Sequence, residues 1–422
     1  MRHLRQRLTT ALLTLLAFLA VLGSDLANGV LWLPGLAATA YPNQEIRGVW
    51  LTNVDSSVLF SQQTLEPALD QIAAAHLNTV YPTVWSWGYT LFPSAVATRE
   101  IGYKQGLYPD LEAEGRNEVL EAAQGDRDLL LELVELAHQR QISVIPWFEF
   151  SFMTPANSEL AARHPDWLTQ RQGTLPAAQY YQEGRHRRVW LNPFHPQAQQ
   201  FLLDIIAELM ANYAVDGLQL DDHLGLPVEF GYDPYTQQLY QQEHGGRLPP
   251  RNPYNAEWMQ WRANKITAFM ERVFRVVKTY RPQAVVSVSP NPAQFAYTHF
   301  LQDWPRWERA GYIEELIVQV YRDNLSSFRA ALQDPLMQRA RSHIPTAIGI
   351  LTGLKDTSVS SQLIQQQVEA VRQADYAGVS FFYYDSLWQT AGGSPEARQS
   401  AVESLFPSIQ TRPAVAANRP DM

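Results

Sequence analysis

An α/β single domain built as a (β/α)8 barrel, with long loops over one face, is the fold this sequence predicts, and three observations predict it. From Glu45 onward, short apolar runs alternate with amphipathic segments of helical period. The runs number eight, the count at which parallel strands with crossover helices close into a barrel. The turn after the first run, "WLTNVDSS", lacks the glycine-rich phosphate turn expected of a doubly wound open sheet.

The elements follow in order. "EIRGVWLTNV" (45–54) reads as strand one, and Thr64 as the cap of a helix whose Leu65, Leu69 and Ile72 share a face. "LNTVYPTVW" (77–85) is strand two. Asp126 caps "RDLLLELVELAHQR", which feeds strand three, "ISVIPWFEF" (142–150). Pro196 opens the next helix, where its missing N–H costs nothing, and "VDGLQLDD" is strand four. A helix from about 257 to 280 leads to "AVVSVSPNP" (284–292), strand five. "IEELIVQVY" (313–321), "IPTAIGILTG" (344–353) and "GVSFFYYDSLW" (378–388) complete the set, and "SPEARQSAVESLF" closes as a helix.

Three connections are long: 87–125, 151–195 and 223–255. All follow strands, so they belong over the C-terminal face, and loops of that length in a compact domain are usually functional. The barrel is assigned to residues 41–406. Residues 407–422, rich in Pro and Ala, read as a disordered tail. Arg2, Arg5 and Arg7 ahead of "ALLTLLAFLAVLG" make residues 1–40 a signal peptide, since that run is short for a membrane span. The expectation is an exported protein of the periplasm or cell envelope. A leader left uncleaved would instead be a membrane tether.

The net charge of −9 argues against a nucleic-acid partner. With no Cys among 422 residues, disulfides, thiolate nucleophiles and zinc–thiolate sites are excluded together. Twelve Trp and 19 Tyr supply flat faces of the kind on which sugars stack, although most must fill the core.

Barrels of this class carry their sites at the C-terminal strand ends. Those ends offer Asn53; Trp85 and Trp87; Trp147 and Glu149; Gln219, Asp221, Asp222 and His223; Asn291; Gln319 and Tyr321; and Tyr384, Asp385 and Trp388. Carboxylates, amides and aromatics converging on one mouth describe a sugar site, with a polysaccharide as the partner. Because strand residues alternate in direction, Asp221 continues the inward row Gly217, Gln219, and Asp222 turns toward the loop above it. Asp221 is therefore the first catalytic candidate, and bracing loop 223–255 is the structural role open to Asp222. Glu149, beside Trp147 and Phe148, is the preferred second carboxyl group, with Asp385 as its rival. The "DDH" triplet is similar to the aspartate pair of metal-dependent polysaccharide deacetylases, but no two of the ten His have their H-x-x-x-H spacing. No metal and no cofactor are expected.

Taken together, "EIRGVWLTNVDS", "HLNTVYPTVW", "PWFEF", "DGLQLDDH", "VSVSPNP", "DWPRWERAGYIEELIVQVY" and "GVSFFYYDSLW" resemble, in order and spacing, the glycosyl-hydrolase-like 10 family. That resemblance covers roughly residues 44–390. It implies a (β/α)8 glycoside hydrolase among exported bacterial proteins, many of them cyanobacterial. The family includes an enzyme that cleaves peptidoglycan glycan strands stripped of their stem peptides. "DGLQLD" is also similar to the strand-four segment of α-amylase-type barrels, whose nucleophile falls at the position of Asp221. Gln219 stands where those enzymes carry Arg, and "SVSPNP" replaces their acid after strand five. A hydrolase of an α-linked polysaccharide and a non-catalytic glycan-binding barrel are the alternatives to a cell-wall hydrolase.

Overall fold

A computed structural model describes residues 44–106, 127–173, 179–183, 186–354, 357–389 and 394–414. The expected signal peptide, residues 1–40, lies outside them. Among the described residues no helix is long and apolar enough to cross a membrane.

Eight parallel strands form the central sheet: β1 (Ile46–Leu51), β2 (Thr79–Pro82), β3 (Ser143–Val144 and Trp147–Phe148), β4 (Gly217–Asp221), β5 (Val285–Ser289), β6 (Glu315–Gln319), β7 (Thr346–Leu351) and β8 (Gly378–Phe382). Each pairs with its sequence neighbours, and β8 returns to β1 through Ile46↔Gly378 and Val49↔Phe381. Pro146 interrupts the ladder of β3, because it has no N–H to give. One half of β3 pairs with β2 and the other with β4, and Thr83 also bridges to Trp147, so the sheet closes on itself. This is the predicted (β/α)8 barrel.

Helices α1 (Gln62–Ala74), α2 (Leu129–Gln139), α3 (Pro196–Asn212) and α4 (Ala256–Tyr280) follow the first four strands. Two expected caps move by a few residues. Ser61, not Thr64, caps α1 by accepting the Thr64 N–H, and Asp128 caps α2 by accepting from Leu131, Asp126 lying outside the described residues. Pro196 opens α3 as expected.

Strand alternation divides the core in two. Outward residues such as Val49, Val80, Leu218, Leu220, Val286 and Ile348 meet the helices. Inward residues Ile46, Trp50, Tyr81, Ile145, Trp147, Ile317 and Ala347 fill the barrel. Inside it, the Trp50 indole N–H donates to Gln219 Oε1 at 2.7 Å, and Gln219 Nε2 donates to Ser287 Oγ at 3.0 Å. Gln219 is fully buried with both ends of its amide engaged, so it forms the floor under the site and does not reach substrate.

The C-terminal segment departs from expectation. Residues 407–414 run along the N-terminal rim of the barrel and are not a loose tail; residues 415–422 lie outside the described set. Glu45 N–H donates to the Thr411 carbonyl, and Asn78 to that of Gln410. Arg412 enters the barrel bottom, donating to Thr79 Oγ1 at 2.6 Å and pairing with Glu315, which also accepts from the Tyr81 hydroxyl at 3.0 Å. Glu315 is 1% exposed, and a carboxylate so deep requires such a partner.

Candidate active site

Above the Trp50–Gln219 floor, the ends of β3 and β4 bring two carboxyl groups together. Asp221 is 2% exposed and its charged form is well provided with donors. The His223 N–H reaches Oδ1 at 2.9 Å, the Trp147 indole reaches Oδ2 at 3.2 Å, and the His223 ring nitrogen Nδ1 lies 3.4 Å from the same oxygen. Its backbone carbonyl is pinned by Gln302 Nε2 at 2.7 Å. Glu149 is half-buried and has less: the Thr83 hydroxyl donates to it at 3.3 Å. His223 joins the two, because its Nδ1 sits 2.8 Å from the Glu149 carbonyl oxygen.

Burial pushes the Glu149 carboxyl up to about 7, and the nearby Asp221 charge adds to the effect. Burial also raises Asp221 to about 7, against the opposing pull of His223. Burial alone would lower the His223 imidazole, but the carboxylates of Asp221 and Asp222 outweigh it and hold the ring well above its ordinary value. The cluster therefore exchanges protons near neutrality as a coupled unit.

A stability consequence follows. The folded value of Glu149 lies above its unfolded one, so the folded state holds that proton more tightly, and the contribution is lost as pH rises toward 7 and beyond. Glu149→Gln cannot titrate. It is expected to gain on wild type by on the order of 2 kcal/mol between pH 5 and pH 8. Denaturant unfolding at the two pH values measures this, and a pH-independent difference would contradict it.

Asp222, just past the end of β4, lies on the β5 and β6 side of this pair and stays close to it, with Oδ1 3.8 Å from His223 Nδ1. Asn291 Nδ2 donates to it at 2.9 Å and Gln319 Nε2 approaches at 3.5 Å, so it ties the β5 and β6 ends to the loop after β4. Trp304 in turn fixes Asn291 by donating to its carbonyl at 3.1 Å. Tyr321, half-buried, faces the acids and stacks on Phe382 with ring centroids 5.6 Å apart. Burial, reinforced by the charges of Asp222 and Asp221, keeps its hydroxyl well above the ordinary value.

Several expected residues lie elsewhere. Trp85 is fully buried, donates to the Ser151 carbonyl and packs on Phe201 of α3, so it belongs to the core and not to a sugar platform. Asp385 falls in the short helix Tyr384–Trp388, which turns the chain out of the strand direction. It lines an open cleft of about 630 Å3 beside Gln63, Asp70 and Gln71 of α1. Tyr384 faces the same way, donating to Gln71 Oε1 at 2.8 Å, with Trp388 packed 6.2 Å from it. Asp385, Tyr384 and Trp388 thus group on the α1 side of β8. Asn53 is 1% exposed beneath the rim. Trp87 is buried at the rim against Phe150, with the Arg188 guanidinium 4.1 Å over its ring.

Three residues of the site had not been expected. Phe382 is half-buried at the mouth, edge-on to Trp147 and Trp50. The alternation Gly378, Ser380, Phe382 points it inward and was the signal available. Gln302 and Trp190 reach the site over long sequence distances, and no local pattern announces them.

Asp221, Asp222 and His223 offer ligand atoms within 4.8 Å of one another, a grouping of a size to hold a metal ion. Nδ1 of His223 donates to a carbonyl oxygen at 2.8 Å, which leaves Nε2 as its one possible ligand atom, and the Asp221 oxygens already accept N–H groups.

Comparison with known proteins bears on the family and the fold. Residues 45–371 match the model of the family described as glycosyl hydrolase-like 10. The chain belongs to that family. Membership, with this fold, makes it a glycoside hydrolase. It is 25% identical over 339 residues to the Escherichia coli K12 protein "Glycosyl hydrolase DigH", covering 68% of this chain and 67% of that one. It is 21% identical to "Glycosyl hydrolase YngK" of Bacillus subtilis, over 71% of this chain and 58% of that protein. Among solved structures, the glycoside hydrolase domain of PgaB from Bordetella bronchiseptica has a TM-score of 0.61 at 14% identity, covering 85% of this chain and 99% of that domain. The catalytic domain of β-amylase from Paenibacillus polymyxa has a TM-score of 0.55 at 9% identity, with 86% and 98% covered. These two likenesses concern the fold.

Proposed function

We propose that this glycoside hydrolase is exported and cleaves a cell-wall amino-sugar polysaccharide, most specifically denuded peptidoglycan glycan, with Asp221 and Glu149 as its working pair. The observation that carries the role assignment is the unequal supply of donors to two buried carboxyl groups. Asp221 accepts two N–H groups and lies beside an imidazole held charged, so its carboxylate is favoured. Glu149 has only hydroxyl donors and a neighbouring negative charge, and burial raises it, like Asp221, to about 7. It is therefore the member of the pair that can hold a proton near neutrality without giving up N–H partners. In the reaction, Glu149 protonates the glycosidic oxygen as the bond to the leaving sugar breaks, and Asp221 meets the positive charge developing at the anomeric carbon. Water supplies the hydroxyl that replaces the leaving sugar there, its proton passing to a carboxylate of the pair. Trp147 and His223 orient Asp221, and Phe382 and Tyr321 present aromatic faces to the ring above it. Asp222, held by Asn291 and Gln319, organises the loop after β4. Family membership supports the substrate class, and the basic-then-apolar N-terminus supports export.

The test is product release by purified protein from denuded glycan, intact sacculi and an α-glucan, read by mass spectrometry. Cleavage of the denuded strand in preference to both others is the expected result. Cleavage of the α-glucan alone would replace the substrate class, and binding without cleavage would make the protein a glycan-binding barrel.

A further inference from the structure

The loops after β3 and β4 are fastened into one wall beside the active site. Arg171 bridges Phe230, the N–H groups of Gly231 and Tyr232 both donate to the Gln170 carbonyl, and the Thr169 hydroxyl donates to Asp233 at 2.6 Å. Asn192 reaches the other oxygen of the same carboxylate at 3.0 Å. A hairpin of Tyr181–Glu183 with His186–Trp190 stands on this wall. These bonds tie the described parts of the two loops to each other.

That surface leads outward from the acids. Trp190 has its ring 6.4 Å from His223 on one side and 6.1 Å from Tyr181 and from Phe230 on the other. Glu183, whose charge acts on His223, is anchored by Arg188 at 2.8 Å. Further out, Tyr181 is 37% exposed and Tyr254 is 54% exposed. The half-buried Glu229 accepts from the Tyr254 hydroxyl at 3.5 Å, and its charge is felt at Tyr181. Single exposed rings are ordinary on a protein surface, but here two flank a carboxylate on a rim that leads to the catalytic mouth.

We propose that Tyr181, Glu229 and Tyr254 form a distal sugar subsite, so that the barrel holds a glycan several residues long and not only the two sugars flanking the cut. The tyrosine rings stack on pyranose faces, and Glu229 accepts hydrogen bonds from hydroxyl or amide N–H groups. The occupant is the same chain whose bond lies over Asp221, because Trp190 and Glu183 link the two regions without a break. This rests on the glycan-hydrolase reading above, and its consequence is a preference for long strands.

The test is calorimetric binding of denuded peptidoglycan glycan fragments of two, four and eight sugars to the full chain carrying Asp221→Asn, with hydrolysis by wild type scored separately. The eight-sugar fragment is expected to bind at least about tenfold more tightly than the two-sugar one, a difference of about 1.4 kcal/mol. Adding Tyr181→Ala and Tyr254→Ala should remove most of that difference. Tyr254→Phe, which keeps the ring, and Leu248→Ala, a 65% exposed control on the same loop, should preserve it. Equal affinity for all lengths, or no loss in the double tyrosine variant, would overturn the proposal. Length-dependent binding that needs the tyrosines, alongside a wild type that cleaves nothing, would uphold the subsite and refute hydrolysis. Absence of binding at every length would refute both.

Discussion

Cleavage of denuded glycan by Asp221→Asn is expected to fall by about 10³- to 10⁴-fold, with the protein still folded. The amide has nearly the shape of the carboxylate, and its one oxygen accepts from the His223 N–H or the Trp147 indole but not both. The floor of Trp50 and Gln219, which does not use Asp221, is preserved. What it removes is the charge that faces the anomeric carbon in the transition state, where electrostatic stabilisation is strongest. Initial rates on denuded glycan, beside a thermal unfolding curve for each protein, measure the effect. An Asp221→Asn protein that cleaves as wild type does would take Asp221 out of the chemistry. Asp222→Asn makes the comparison informative. Its side chain serves Asn291 and Gln319, so the expected loss is smaller and accompanies loosening of the loop after β4.

Arg412→Ala is expected to cost about 3–5 kcal/mol of stability, a large fraction of what a domain possesses. The substitution leaves Glu315 deep in the barrel bottom with the Tyr81 hydroxyl but without its cation. Restoring balance by making Glu315→Gln in the same chain should recover most of the loss, because the buried charge then disappears with its partner. Denaturant unfolding of the two single variants and the double variant measures the coupling. The active site lies at the opposite end of the strands, so activity per folded molecule should be retained. Single losses that simply add in the double variant would show that the pair does not act as a unit.

Why the barrel could be read from sequence, and parts of its site could not, has a physical basis. Strand count and crossover helices follow from period-2 and period-3.6 patterns that tertiary structure does not override here. Strand parity placed Asp221 and Gln219 inward, although depth made Gln219 a floor rather than a ligand. The strand ends at Asp221, so parity does not reach Asp222, which stays at the mouth beside His223. The readings failed where the chain stops being a strand. After Pro82 it enters the small hairpin Trp85–Ser86 with Tyr89–Thr90, which delivers Trp85 to the core. After Phe382 it turns into the helix Tyr384–Trp388, which carries Asp385 toward α1. Composition also misled at the C-terminus. A Pro- and Ala-rich segment looks unable to bury apolar surface, yet backbone bonds from Glu45 and side-chain bonds from Arg47 and Asn78, with Arg412 reaching the buried Glu315, hold residues 408–412 in place.

The most direct test of the account is whether Glu149 and Asp221 have different tasks. An aryl β-glycoside of N-acetylglucosamine has a leaving group that departs without a proton, so it needs no general acid. On this substrate Glu149→Gln is predicted to stay within about tenfold of wild type while losing about 10²- to 10⁴-fold on denuded glycan, and Asp221→Asn is predicted to fail on both. Equal losses on the two substrates for Glu149→Gln, or recovery of Asp221→Asn on the aryl glycoside, would contradict the assignment of acid and carboxylate made here.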